Sequence, residues 1–266
     1  MQPGLGRRLG ASRRSPYFAY TAAMRFIVVD TSDARGSVAI FENARVVALA
    51  AHTTEEDYSS WLLPAAQEVL AATNVSLANL DGYAVCAGPG SFTGLRVGLT
   101  TVKAWAEIYL KPIASVSRLE ALTEDLGSPL PISEPFIAGC FDARRDQVFA
   151  ALYSRAGQGY SLMGEEAVTS PSQFLLRVSS ETSGQPVRWR TPDPSMIEAQ
   201  PEWPALAKRG HTLETVAPPF AAQLGALAYR KFQNGSTTDP LSLDANYVRR
   251  SDAELFWKDH AAALKP

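Results

Sequence analysis

Apolar and polar positions follow two rhythms along this chain, and the change from one to the other outlines its elements. Residues 26–30, 37–41 and 45–50 are short apolar runs separated by the turn-forming clusters TSDARG and ENA, which predicts three strands in an antiparallel meander. Over 58–73 the period lengthens. Leu62, Ala66, Val69 and Thr73 recur at three and four, which predicts a helix with Pro64 tolerated near its first turn. Residues 82–87 read as a fourth strand. A helix is predicted over 94–110, with Leu95, Leu99, Val102, Ala106 and Tyr109 along one stripe and Arg96, Lys103 and Glu107 off it. Residues 112–116 give a fifth strand and 118–126 a short helix, for an order of βββαβαβα.

The run GSPLPISEP at 127–135, with three prolines, marks a junction between two lobes. Beyond it, residues 136–141 and 147–153 flank DARRD as a hairpin. Residues 178–217 fit neither period. Residues 218–234 predict a helix with proline early and Gly235 just past its end, and 236–266 a C-terminal extension draped back over a lobe. The organisation is therefore an extension at 1–23, an N-terminal lobe at 24–128, a C-terminal lobe at 129–250 and a tail at 251–266.

Composition narrows the function. With 266 residues, 46% of them hydrophobic and 20% charged, the chain can bury a sizeable core. Its net charge of −2 lacks the basic stripe that gripping tRNA unaided would need. Residues 1–23 carry four arginines (Arg7, Arg8, Arg13, Arg14) and no acid, and read as a basic extension or as residues ahead of a true start at Met24. No apolar run is long enough to span a membrane. Cys86 and Cys140 lie in apolar runs as reduced, buried thiols, which fits a cytoplasmic protein.

The stretch CAGPGSFTGLRVG at 86–98 asks what approaches its glycines. The known phosphate-binding and nucleophile spacings fail: no Lys follows Gly94, and Thr93 stands where a Rossmann or nucleophile-elbow glycine would be. Ser91 is not an evident nucleophile. Pro89 and Gly90 are expected to turn the chain and Thr93 to cap the helix. Gly98, a full turn inside the helix, costs about 1 kcal/mol against Ala there. That points to close packing, either against a partner or against the chain's own sheet. The expectation adopted is a docking face of Leu62, Leu63, Ser91, Gly94, Leu95, Gly98, Leu99 and Val102. DARRD offers Arg144 and Arg145 as anion contacts, or a solvated hairpin tip with a local ion pair to Asp142.

GPGSFTGLRVG at 88–98 resembles the signature of the TsaB (YeaZ) family. FDARRDQVFAALY at 141–153, NYVRRSDAE at 246–254, DTSDARGSVAIF at 30–41 and WLLPAAQEVL at 61–70 resemble further motifs of that family in the same order. The resemblance implies an α/β, actin-like ATPase (ASKHA, ribonuclease H-like) fold of two lobes, each a mixed sheet with helices. It also implies a non-catalytic subunit in making N6-threonylcarbamoyladenosine in tRNA. Such a subunit would pair with TsaD, the transferase and a paralogue, with the ATPase TsaE on the pair and a functional link to TsaC. It would meet tRNA only within that complex, form a homodimer when alone, and bind no cofactor firmly, ATP entering through its partners. In TsaD-like relatives a metal-binding H-x-x-x-H pair follows the glycine motif. Here Arg118 and Leu122 stand at those places, and His52, His211 and His260 form no pair, so no metal site is expected. Asp30, Thr31, Gly88 and Gly90 would form a vestigial nucleotide site. The alternative is an ATP-binding enzyme or an M22-type metallopeptidase with an activity of its own.

Overall fold

The structure is a computed structural model that describes residues 23–53, 55–126, 134–157 and 159–248. Nearly all of the 1–23 extension, the 251–266 tail and most of the 127–135 junction lie outside these residues. The first lobe runs β1 (Arg25–Asp30), β2 (Ser37–Glu42), β3 (Arg45–Ala51), α1 (Tyr58–Thr73), β4 (Gly82–Gly88), α2 (Phe92–Tyr109), β5 (Ile113–Ser117) and α3 (Arg118–Ala121). The second runs β6 (Phe136–Arg144), β7 (Gln147–Ala156), β8 (Gly159–Thr169), α4 (Pro171–Glu181), β9 (Arg188–Thr191), α5 (Ser195–Glu198), α6 (Trp203–Lys208) and β10 (Thr212–Thr215). The last helix is α7 (Ala221–Gln233).

The two sheets repeat one topology. The first is ordered β3-β2-β1-β4-β5 and the second β8-β7-β6-β9-β10. In each, the first three strands pair antiparallel and the last two join parallel to the first. Three hairpin-linked strands need only short turns, whereas the parallel additions need crossovers, and the βββαβα pattern supplies both. This doubled order is that of the actin-like fold implied by the resemblance.

Period-two alternation sends Ile27, Val29, Val38 and Ile40 to one face of the first sheet, where Leu62, Ala66, Leu95, Leu99 and Val102 of α1 and α2 cover them. Phe26, Val28, Ala39 and Phe41 face the other way, into a cluster shared with α3, α7 and Phe141, Phe149 and Tyr153 of the second lobe. A sheet buried on both faces explains why β1 and β4 read as continuous apolar runs.

Three readings need correction. Ser91, not Thr93, caps α2: its Oγ accepts from the Gly94 amide at 3.3 Å, so the helix begins at Phe92. The helix predicted over 118–126 is only the four residues of α3. Residues 178–217 hold β9, α5, α6 and β10, elements of four to six residues that are too short for either period to register. In addition, α7 follows the second sheet in sequence yet packs on the first. Its Gly225 lies against the Phe41 ring. The chain then pairs Thr238 with Ile113 and buries Leu243 in the cluster that holds α1 and α2, so residues 236–248 of the expected 236–266 extension drape over the first lobe and the rest lie outside the described residues.

Candidate functional site: the interlobe cleft and the glycine turn

The chain's own β1–β2 turn occupies the glycine notch. A Cβ on Gly90 would strike the Ser32 carbonyl oxygen, on Gly94 the Thr31 carbonyl oxygen, and on Gly98 the Thr31 Oγ1. Hydrogen bonds fix this fit. The Ser91 amide donates to Ser32 O at 2.6 Å, and Thr31 Oγ1 donates to Gly94 O at 2.7 Å. Asp30 Oδ1 in turn accepts from the Ser32 amide at 3.0 Å and from Ser32 Oγ at 2.6 Å. Burial pushes the Asp30 carboxyl above its usual range, and the positive charge of Arg118 pulls it partly back.

Asp30, Thr31, Gly88 and Gly90 are thus brought together, with Asp30 and Thr31 each 1% exposed. The Ser91 amide, which in a phosphate-binding turn would face the ligand, faces a protein carbonyl. The cradle does not fit a phosphate chain, because protein atoms fill the space that a missing Cβ would leave.

The docking face is the second point of correction. Leu62, Gly94, Leu95, Gly98, Leu99 and Val102 are buried within the chain, and only Leu63 and Ser91 are exposed. An apolar stripe is what a helix lays on its own sheet, which leaves the opposite side of α1 and α2 open to solvent. That side of α1 exposes Ser59, Ser60, Leu63, Pro64, Gln67, Glu68, Ala71 and Ala72, with Glu68 the one charge among them. On α2 it exposes Phe92, Thr93, Arg96, Thr100, Ala104, Glu107 and Ile108.

Between the lobes lies a cleft of about 1280 Å³ walled by Asp33, Arg35, Arg96, Arg118, Asp142, Arg144 and Asp193, among others. Three of its four arginines pair with its aspartates. Arg118 pairs with Asp33, Arg35 lies 3.6 Å from both Asp33 and Asp193, and Arg144 lies 3.3 Å from Asp142. Arg144 stays 85% exposed at the hairpin tip, where Arg144, Arg145 and Asp146 all take positive φ. At one rim the Tyr247 ring tilts against Phe92 with 5.2 Å between centroids, and its hydroxyl accepts from Arg96 Nε at 3.2 Å. Asp33, Arg35 and Tyr247 are not legible in the sequence as site residues, since each gains its role from a segment far away in sequence.

Among the described residues no group of three or more His, Cys, Asp or Glu side chains could hold a metal ion. The His52 ring nitrogens lie 2.9 Å from Ala34 O and 2.8 Å from Glu56 O, and His211 Nδ1 accepts from Trp189 Nε1 at 3.0 Å. Burial pushes the Cys86 thiol well up and that of Cys140 up to about 12, so both stay protonated.

Comparison with known proteins places this arrangement. The family model for TsaD, tRNA N6-adenosine threonylcarbamoyltransferase, matches residues 50–212. The tRNA threonylcarbamoyladenosine biosynthesis protein TsaB of Bacillus subtilis is 32% identical over 239 residues, covering 88% of this chain and 98% of that protein. This chain belongs to the TsaB family. The Escherichia coli TsaB is 27% identical over 88% of this chain and 97% of its own length. A Pseudomonas aeruginosa structure with similarity to YeaZ superposes with a TM-score of 0.69 at 24% identity, over 85% of this chain and all of that one, and shares its fold. The match to the TsaD model makes TsaB and TsaD paralogues. In this TsaB-family chain the position expected of a metal-binding histidine carries the buried Arg118 instead.

Proposed function

We propose that the chain acts in forming N6-threonylcarbamoyladenosine in tRNA as a non-catalytic subunit that pairs with a TsaD chain. The supporting observation is the outer face of α1 and α2. One charge among the eight exposed positions of α1, with small Ser and Ala residues between, lets another helix pair approach closely. Leu63 at 52% and Ile108 at 69% exposure supply apolar anchors. In the absence of TsaD the same face would join two copies about a two-fold axis.

The reactive chemistry would then lie in the partner. TsaC would supply threonylcarbamoyl-AMP, TsaE would act on the TsaB–TsaD pair, and ATP would enter through these partners. Contact with tRNA would arise only within the complex, in the cytoplasm. Among the described residues no helix is long and apolar enough to cross a membrane.

The test combines depletion with surface variants. Depletion is expected to remove threonylcarbamoyladenosine from bulk tRNA, and Leu63→Arg with Ala104→Arg to abolish co-purification with TsaD at an unchanged melting temperature. Persistence of the modification would overturn the role, and undiminished pairing the assigned face.

A further inference from the structure

The floor of the cleft is built around one buried cation. Arg118 opens α3 and is 3% exposed. Its Nη2 pairs with Asp33 Oδ2, and its guanidinium carbon lies 3.9 Å from the centre of the Phe141 ring on β6 and 5.4 Å from that of Phe220. Among the described residues Arg118 Nε has no hydrogen-bond partner. Asp33 belongs to the turn that carries Thr31 and Ser32 into the glycine notch of α2, and Asp30, buried at the head of that turn, feels the same cation. Arg35 extends the set across the cleft to Asp193 in the second lobe.

We infer that Arg118 is a built-in counter-cation. From the cleft floor it neutralises Asp33 and holds the β1–β2 turn on α2 without a bound metal ion or nucleotide.

Two carboxylates three residues apart on a tight, half-buried turn destabilise it unless a cation lies close by. A dissociable ion would make the turn, and α2 with it, depend on ligand. A tethered guanidinium removes that dependence. Its planar group stacks on Phe141, which fixes its position in a way a lysine ammonium does not reproduce. Arg118 is therefore a positioning residue for α2, an assignment that stands apart from the proposed pairing with TsaD and is tested separately from it.

Amide hydrogen exchange on the full chain reads the turn (31–36) and the start of α2 (91–98) directly. Losing one member of a buried pair is far more damaging than losing both. Arg118→Gln is expected to speed exchange in those two segments by about tenfold or more while α4 and β9 keep their protection. Arg118→Gln combined with Asp33→Asn is expected to recover most of the loss, and Arg118→Lys to recover part of it. Magnesium chloride, with or without ATP, is expected to leave the wild-type segments unchanged.

Wild-type protection in Arg118→Gln, an even loss across all segments, a double variant no better than the single one, or slowing of wild-type exchange by magnesium or ATP would each overturn the inference. Should Arg118→Gln fail to fold, Asp33→Asn alone, which strands the same buried cation, must loosen the same two segments. Its failure to do so would equally overturn it.

Discussion

Gly94 and Gly98 face the same turn, yet an added methyl group would strike different things. At Gly94 it meets the Thr31 carbonyl oxygen, which cannot move without dragging the β1–β2 turn. Gly94→Ala is expected to lower stability by about 1–3 kcal/mol in urea titrations, the range for forced overpacking. At Gly98 it meets Thr31 Oγ1, a side-chain atom that can give way only by breaking its hydrogen bond to Gly94 O. The lost hydrogen bond, about 1 kcal/mol, is offset by the gain of about 1 kcal/mol for Ala over Gly inside a helix. Gly98→Ala should therefore stay close to wild type. Glu166 gives a pH signature. It accepts from Ser117 Oγ, from Tyr153 OH at 3.3 Å and from Asn246 Nδ2, and burial pushes its carboxyl above the ordinary 4.5. With the folded value raised, the native state holds this proton more tightly than the unfolded chain. Its contribution is present on the acid side and is lost as pH rises from 4.5 through the raised folded value. Asp30 shifts in the same direction, so the comparison needed is wild type against Glu166→Gln. The variant should show a flatter fall in urea midpoint over that window, and parallel curves would refute the assignment.

At the scale of elements, α7 shows how a late helix completes an early sheet. Its Gly225 admits the Phe41 ring, which stacks on Phe26 at 5.1 Å between centroids, while Phe232 of α7 tilts against Phe26 at 5.2 Å. A methyl group at 225 would sit inside the Phe41 ring. Gly225→Ala should cost about 1–3 kcal/mol, and Phe41→Leu should recover part of that loss when combined with it, as a thermal melt of the pair would reveal. This contact had no local trace in the sequence. The limits of α1 did, because Leu62, Ala66 and Val69 face one sheet at helical spacing and Asn74, in the left-handed conformation, closes the helix. The edge strand β8 and the four-residue β9 and β10 did not, since half-buried edges and short parallel strands carry too few alternations. The glycines signalled a close approach correctly. Their occupant, Thr31 and Ser32, lies some sixty residues earlier, and pairings at that distance are invisible to periodicity. The apolar stripe on α2 was likewise visible, but a stripe does not say whether its cover is the chain's own sheet or another protein.

For the whole molecule the question is whether the two sheets unfold separately. One apolar cluster runs from Phe26 and Phe41 in the first lobe to Phe141, Phe149 and Tyr153 in the second, with Phe220 and α7 between them. Polar ties reinforce it. Arg190 of β9, 4% exposed, donates to Leu122 O at 2.6 Å and Glu124 O at 3.0 Å, and Arg188 lies 2.6 Å from Asp125. Opening the lobes would expose the cluster and strand buried guanidinium groups, a cost beyond what either lobe would recover alone. Unfolding should therefore be a single transition. The tryptophans can report this, since Trp61 and Trp105 pack with α1 and α2 while Trp189 and Trp203 pack in the second lobe. Variants that keep the tryptophans of one lobe and carry Phe at the others should give coincident urea midpoints. Phe141→Ala, a truncation in the shared cluster, should cost about 3–5 kcal/mol and lower both midpoints together. A first-lobe reporter that stays at its wild-type midpoint while the second-lobe reporter falls would mean that the lobes are separate cooperative units and that the shared core does not couple them.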